Sequence, residues 1–124
     1  MPIGYDTGIG PEESRWTGID LDGTLAHFDM ERWLSEGYSY IGRPLMPMVL
    51  LVDKLLREGK KIKIFTARVC THPDIAIPYI RQWLVGIGLP GDLEITNVKD
   101  WYMDVLYDDR CIQVEHNTGE VNPK

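Results

Sequence analysis

Gly18 to Asp29 reads GIDLDGTLAHFD. With Trp16 and Thr17 before it, the first half is a short, mostly apolar run that stops at Gly23. The pattern predicts a first strand over Trp16–Leu21. Asp20 and Asp22 stand one residue apart at the end of that run, and Gly23 and Thr24 follow at once. Burying a carboxylate there costs free energy unless something compensates it. Taken alone, Asp-x-Asp-Gly is most often a turn, because Asp and Gly both favour turns. What the rest of the chain brings to the same place decides between the two readings.

Downstream, Leu25–Arg43 has no regular period and carries Phe28, Trp33, Tyr38 and Tyr40. Pro47–Glu58 reads as a helix with Met48, Leu51, Val52, Leu55 and Leu56 on one face. Pro47 suits its first turn and Gly59 its stop. KKIKIFT, Lys60–Thr66, reads as a second strand in which Ile62 and Ile64 alternate with lysines. A second helix is expected over Pro78–Val85, burying Ile80, Trp83 and Leu84 and ended by Gly86 and Gly88. Leu93–Thr96 reads as a third strand, Val105–Tyr107 as a fourth running into Asp108 and Asp109, and Cys111–Glu115 as a fifth. The alternation of strand and helix predicts an α/β fold: one Rossmann-like, three-layer domain with a mostly parallel sheet. The interval from Thr96 to Val105 is too short for a crossover helix, since parallel strands need about a dozen residues or more to connect. Either that crossover is a single turn or the third strand lies elsewhere.

The chain has 124 residues, which suits one domain over 16–124 preceded by a loose, Gly- and Pro-containing arm at 1–15. Apolar residues make up 44% and charged residues 26%, a globular composition. A net charge of −6 argues against an extended nucleic-acid footprint, which needs a basic face. It leaves room for a small phosphorylated substrate, because a local cation can outweigh the global field. No run approaches the roughly 20 apolar residues of a membrane span, and the N-terminus has no signal-peptide pattern. Cys70 and Cys111 lack metal-ligand spacing, so a reducing, cytoplasmic compartment is expected. Oligomerisation is left open.

The predicted strands share a habit: the first ends in Asp20 and Asp22, the second in Thr66, and the fourth in Asp108 and Asp109. In a parallel sheet these ends lie on one edge, where open α/β sheets bind ligands. Two like charges about 4 Å apart repel by roughly 4 kcal/mol at an effective dielectric near 20. Four carboxylates there are best reconciled by a hard divalent cation. Mg²⁺ typically takes one or two carboxylates plus a substrate phosphate.

DLDGT at Asp20–Thr24, Thr66 in KIKIFTAR, Lys99, and VLYDDR ending at Arg110 together resemble the four motifs of the haloacid dehalogenase superfamily. The resemblance covers roughly Trp16 to Arg110, and its first motif is the most specific. It implies a Mg²⁺-dependent phosphatase. Asp20 would be the nucleophile that forms an aspartyl-phosphate. Asp22 would be the general acid and then the base, its carbonyl also meeting the metal. Thr66 would bond a phosphoryl oxygen, and Lys99 would neutralise the aspartyl-phosphate. Asp109 would contact the metal with Asp108 in support. Gly23, Thr24, Ala67 and Arg68 would border the phosphate, with Arg68 either on substrate or an ordinary surface charge. His72 is expected to cap or flank the next helix.

No separate cap domain is expected, since Leu25–Arg43 is too short to fold alone. It would form at most a flap whose aromatics either roof the site or belong to the core. The substrate would be a phosphorylated small molecule or an exposed phosphate end. Two other readings stand beside this one: a polynucleotide 3′-end phosphatase, and a phosphate-binding or receiver-like module without turnover. The receiver arrangement is disfavoured, because it would put the adjacent acidic pair first and the phospho-acceptor later.

Overall fold

The computed structural model describes residues 14–122; most of the expected arm at 1–15 lies outside them. The chain runs β1 (Trp16–Asp20), α1 (Met30–Glu36), α2 (Met46–Arg57), β2 (Ile62–Phe65), α3 (Pro73–Gly86), β3 (Glu94–Thr96) and β4 (Met103–Tyr107). All strand pairs are parallel, in the order β3-β2-β1-β4. This is a mixed α/β architecture compatible with a single Rossmann-like domain. None of the described helices is long and apolar enough to cross a membrane.

Strand alternation explains the layering. Ile19, Ile62 and Ile64 point to one face and form a single core with Val49 and Val52 of α2 and Ala76, Ile80 and Leu84 of α3. Trp16 and Gly18 belong to the other face. There Trp16 stacks on Phe65 (6.4 Å between rings), and the Lys63 Nζ sits 4.4 Å from the Trp16 ring centroid. A Cβ at Gly18 would meet Leu106 Cδ1 at 2.9 Å, so a side chain there would overpack this face. Among the described residues both long helices cover the same face, so two layers stand there where three are expected. On the other face the described residues supply no helix, and the 97–102 segment crosses it.

That segment resolves the short interval. β3 and β4 are not neighbours but opposite edges of the sheet. Residues 97–102 cross three inter-strand spacings of about 4.8 Å each while returning to the amino end, and six extended residues reach about 20 Å. The third strand therefore stands where the sequence puts it, and its crossover is a strap. Asp100 pins the strap by accepting from the buried Trp16 Nε1 at 2.8 Å and from Tyr102 N at 2.9 Å. Lys63 bridges to Glu94 (3.1 Å) and Asp100 (3.7 Å). Asp100→Ala leaves the buried indole N–H without its acceptor. It should lower the urea midpoint of unfolding; an unchanged midpoint would show that the strap is not held there.

Three further expectations change. Residues 111–115 form no strand: only Val114 and Val121 make an isolated antiparallel bridge. The second helix begins at Pro73, five residues before the expected start, and carries Pro78 inside it. Pro73 satisfies the first-turn rule as well as Pro78 does. Burial of Ala76, four residues before Ile80, extends the core stripe through the added turn. Leu25–Arg43 is not wholly irregular, because α1 lies within it. The Asp29 side chain caps α1 by accepting from Glu31 N and Arg32 N, yet no residue of α1 is buried.

Candidate functional site

The site starts where β1 ends. Leu21 O accepts hydrogen bonds from Thr24 N, Leu25 N and Ala26 N, and Gly23 N donates to Ala26 O. This folds DGT into a tight loop. Gly23 sits at φ +87°, in the left-handed region that favours glycine. The space also demands it, since a Cβ there would lie 2.5 Å from Asp109 Oδ2.

The close approach lets β1 and β4 share one acidic centre. Asp20, Asp108 and Asp109 each place a carboxylate oxygen within 4.8 Å of the others. Thr24 Oγ1 lies 3.0 Å from Asp109 Oδ1 and 3.2 Å from Asp20 Oδ2, and accepts from Asp109 N at 3.0 Å. Its one proton can serve only one carboxylate at a time. Burial, a hydrogen bond with Asp109 and the Asp108 charge push the Asp20 carboxyl up to about 7. Oxygen donors of this kind suit a hard divalent cation.

Asp22 is turned away from that cluster. Arg68 Nε donates to Asp22 Oδ2 at 2.7 Å and Nη2 to Oδ1 at 2.8 Å, a two-pronged fork. Arg68 is 6% exposed, so it is not an ordinary surface charge. Thr66 ends β2, buried, and accepts from Arg68 N at 3.1 Å, opening the turn at Ala67–Val69 that aims the arginine inward. Arg68 Nη1 also donates to Tyr38 O at 3.4 Å, and its guanidinium carbon sits 4.7 Å from the Trp33 ring centroid. One side chain thus ties the β1 loop to the α1 flap. Arg68→Ala removes charged hydrogen bonds worth about 1.5–3 kcal/mol each. The urea midpoint should fall clearly, and Arg68→Lys should recover only part of it because lysine has no fork. Equal stability of both variants and wild type would contradict this pairing.

These groups border a cavity of about 710 Å³. Asp20, Asp22, Gly23, Thr66, Ala67, Arg68, Asp108 and Asp109 all line it, so the structure brings together most of the residues singled out from sequence. Thr24 lies just behind, bonded to two of them. Lys99 is exposed on the strap and does not line the cavity. His72 occupies the cap position of α3 without a side-chain cap bond, its ring edge-on to Tyr38. The flap aromatics divide. Tyr40 is buried and donates toward His27 O, while Phe28, Trp33 and Tyr38 are half-buried and line the cavity. Sequence reasoning missed the Asp22–Arg68 fork; the only signal was an arginine two residues past a strand-ending threonine. It also missed Met30, Thr71 and Arg110 as lining residues.

A second cavity, of about 450 Å³, lies at the amino end of the sheet and is lined partly by Leu55, Glu58, Lys60, Lys61, Asp104 and Val105. It gathers no carboxylate cluster and lies opposite the edge where parallel sheets bind ligands. No family model, curated protein or solved structure matches the chain.

Proposed function

We propose that the protein is a Mg²⁺-dependent phosphomonoester hydrolase of the haloacid dehalogenase type, acting through an aspartyl-phosphate. One observation carries this reading: the carboxyl ends of β1, β2 and β4 place Asp20, Asp22, Thr66, Asp108 and Asp109 around one cavity. Asp20 attacks phosphorus as the bond to the leaving oxygen breaks, and Asp22, once it has left the Arg68 fork and taken a proton from water, gives that proton to the leaving oxygen. Asp22 then takes a proton from the water that cleaves the aspartyl-phosphate, releasing phosphate and restoring Asp20. Thr66 donates its hydroxyl proton to a phosphoryl oxygen. Asp20, Asp108 and Asp109, with the Asp22 carbonyl, would hold Mg²⁺, which when bound supplies positive charge where phosphoryl charge builds. Two cysteines without metal-ligand spacing support a reducing, cytoplasmic setting.

A second reading, a phosphate-binding module without turnover, is favoured by two observations. Lys99 stands off the cavity, and Asp22 is engaged by Arg68. Turnover of para-nitrophenyl phosphate with and without Mg²⁺ separates the readings. The hydrolase releases nitrophenol only with the metal, and Asp22→Asn keeps slow turnover because this leaving group needs little acid assistance. Phosphate binding without any release, at millimolar Mg²⁺, would favour the module.

A further inference from the structure

We propose that the apolar wall of the cavity binds an aromatic ring in the leaving group, so that the preferred substrates are phosphate monoesters of ring-bearing alcohols. This rests on the hydrolase reading above. The cavity is two-sided: carboxylates line the sheet edge, while Phe28, Met30, Trp33 and Tyr38 line the flap. Its volume of about 710 Å³ falls within the roughly 300–1,000 Å³ of pockets that take whole small molecules, so phosphate alone would leave most of it empty.

The α1 part of the flap is held in place without being buried. No residue of α1 is buried, so this helix contributes nothing to the core. Yet its one ring, Trp33, is held: it meets Tyr38, just past the helix, edge-on at 5.2 Å, Arg68 lies over it, and Arg68 Nη1 holds the Tyr38 carbonyl. Tyr40 Oη accepts from Asp29 N at 2.9 Å at the start of the same helix. Aromatic side chains fixed in this way, half in water, gain most when another ring covers them. Arg68, beside the flap rings, already has a carboxylate partner in Asp22, and the cavity's other arginine, Arg110, follows Asp109 on the sheet edge, so neither offers the flap wall a cation for a second anionic group. A polyol leaving group would set hydroxyls against Trp33 and Met30, where they lose water without gaining partners.

The test compares 2-phenylethyl phosphate with ethyl phosphate. Both esters release primary alcohols of similar basicity, so the comparison isolates the ring from leaving-group chemistry. Wild type should show kcat/KM about tenfold or more higher for the ring-bearing ester, the effect of burying one ring against aromatic partners. Trp33→Ala and, separately, Tyr38→Leu should bring that ratio close to one. Leu34→Ala, on the same helix but 76% exposed and off the cavity, should keep it. A wild-type ratio near one, or a ratio that survives both flap variants, would overturn the proposal. If neither ester is hydrolysed and para-nitrophenyl phosphate is not turned over either, the hydrolase reading fails instead. Calorimetric binding of 2-phenylethylphosphonate against ethylphosphonate then decides the ring site alone: tighter binding of the former supports it, and equal or absent binding overturns it.

Discussion

Asp20→Asn is expected to abolish phosphate-ester turnover, by at least about a thousandfold, while making the metal-free protein more stable at pH 8. An amide is too weak a nucleophile to form the acyl phosphate. The gain in stability has a separate cause. Burial, the hydrogen bond with Asp109 and the charge on Asp108 hold the folded-state Asp20 carboxyl near 7, against an ordinary 3.8. Folding therefore favours the protonated form. The stability this contributes is fully present below pH 3.8, is lost as pH rises toward 7, and is gone above it. Wild-type protein without metal should lose stability between pH 5 and pH 8, and Asp20→Asn should flatten that slope. Mg²⁺ at pH 8 should restore wild type and leave the variant unmoved. Thermal melts across this range, with and without metal, check all three results. A variant with normal turnover would remove Asp20 from the chemistry, and an unchanged slope would remove it from the acidic centre.

Gly23→Ala should be nearly as damaging to activity, although it touches no reacting group. The new methyl would sit 2.5 Å from Asp109 Oδ2 and 2.8 Å from its Cγ, at a backbone φ of +87°. The left-handed conformation alone costs about 1–2 kcal/mol for a residue with a Cβ. Asp109 must also move, and it takes with it the two hydrogen bonds it makes with Thr24. A displacement of about 1 Å in a reacting constellation can cost on the order of a hundredfold in rate, and a loss of at least that size is expected here. Gly59→Ala is the matched control. Gly59 has φ +82° with nothing within 4 Å of a built Cβ, so it should lose similar backbone stability and keep full activity. Circular dichroism and steady-state kinetics on both variants separate strain from displacement. Equal kinetic losses in the two would show that the Asp109 contact does not matter.

The strands and the edge they build were legible in the sequence because each depends on local pattern. β1, β2, β3 and β4 all lie where short apolar runs meet turn residues, and parallel order alone brings Asp20, Thr66 and Asp109 together. What escaped depends on partners distant in sequence. Asp22 and Arg68 are 46 residues apart, and nothing local marks an arginine that turns inward. The strap at 97–102 has no secondary-structure signature, and reading it requires knowing that β3 and β4 occupy opposite edges. α1 was missed because it buries no stripe, although its cap, Asp29, was visible. The added turn of α3 was obscured by a second proline, Pro78, which suits a first turn as well as Pro73 does. The apolar run at 111–115 resembled a strand, but among the described residues it is met only by the single bridge of Val114 to Val121.

The most direct measurement is to trap the phosphoenzyme. Wild-type protein mixed with substrate and Mg²⁺ is quenched in acid, reduced with borohydride, digested and mapped by mass spectrometry. The account predicts homoserine at position 20, formed by reduction of a phosphorylated Asp20, and its absence when substrate or Mg²⁺ is withheld or when the Asp20→Asn variant is used. Turnover with the phosphoryl group on another residue, or with no label at position 20 under single-turnover conditions, would contradict it.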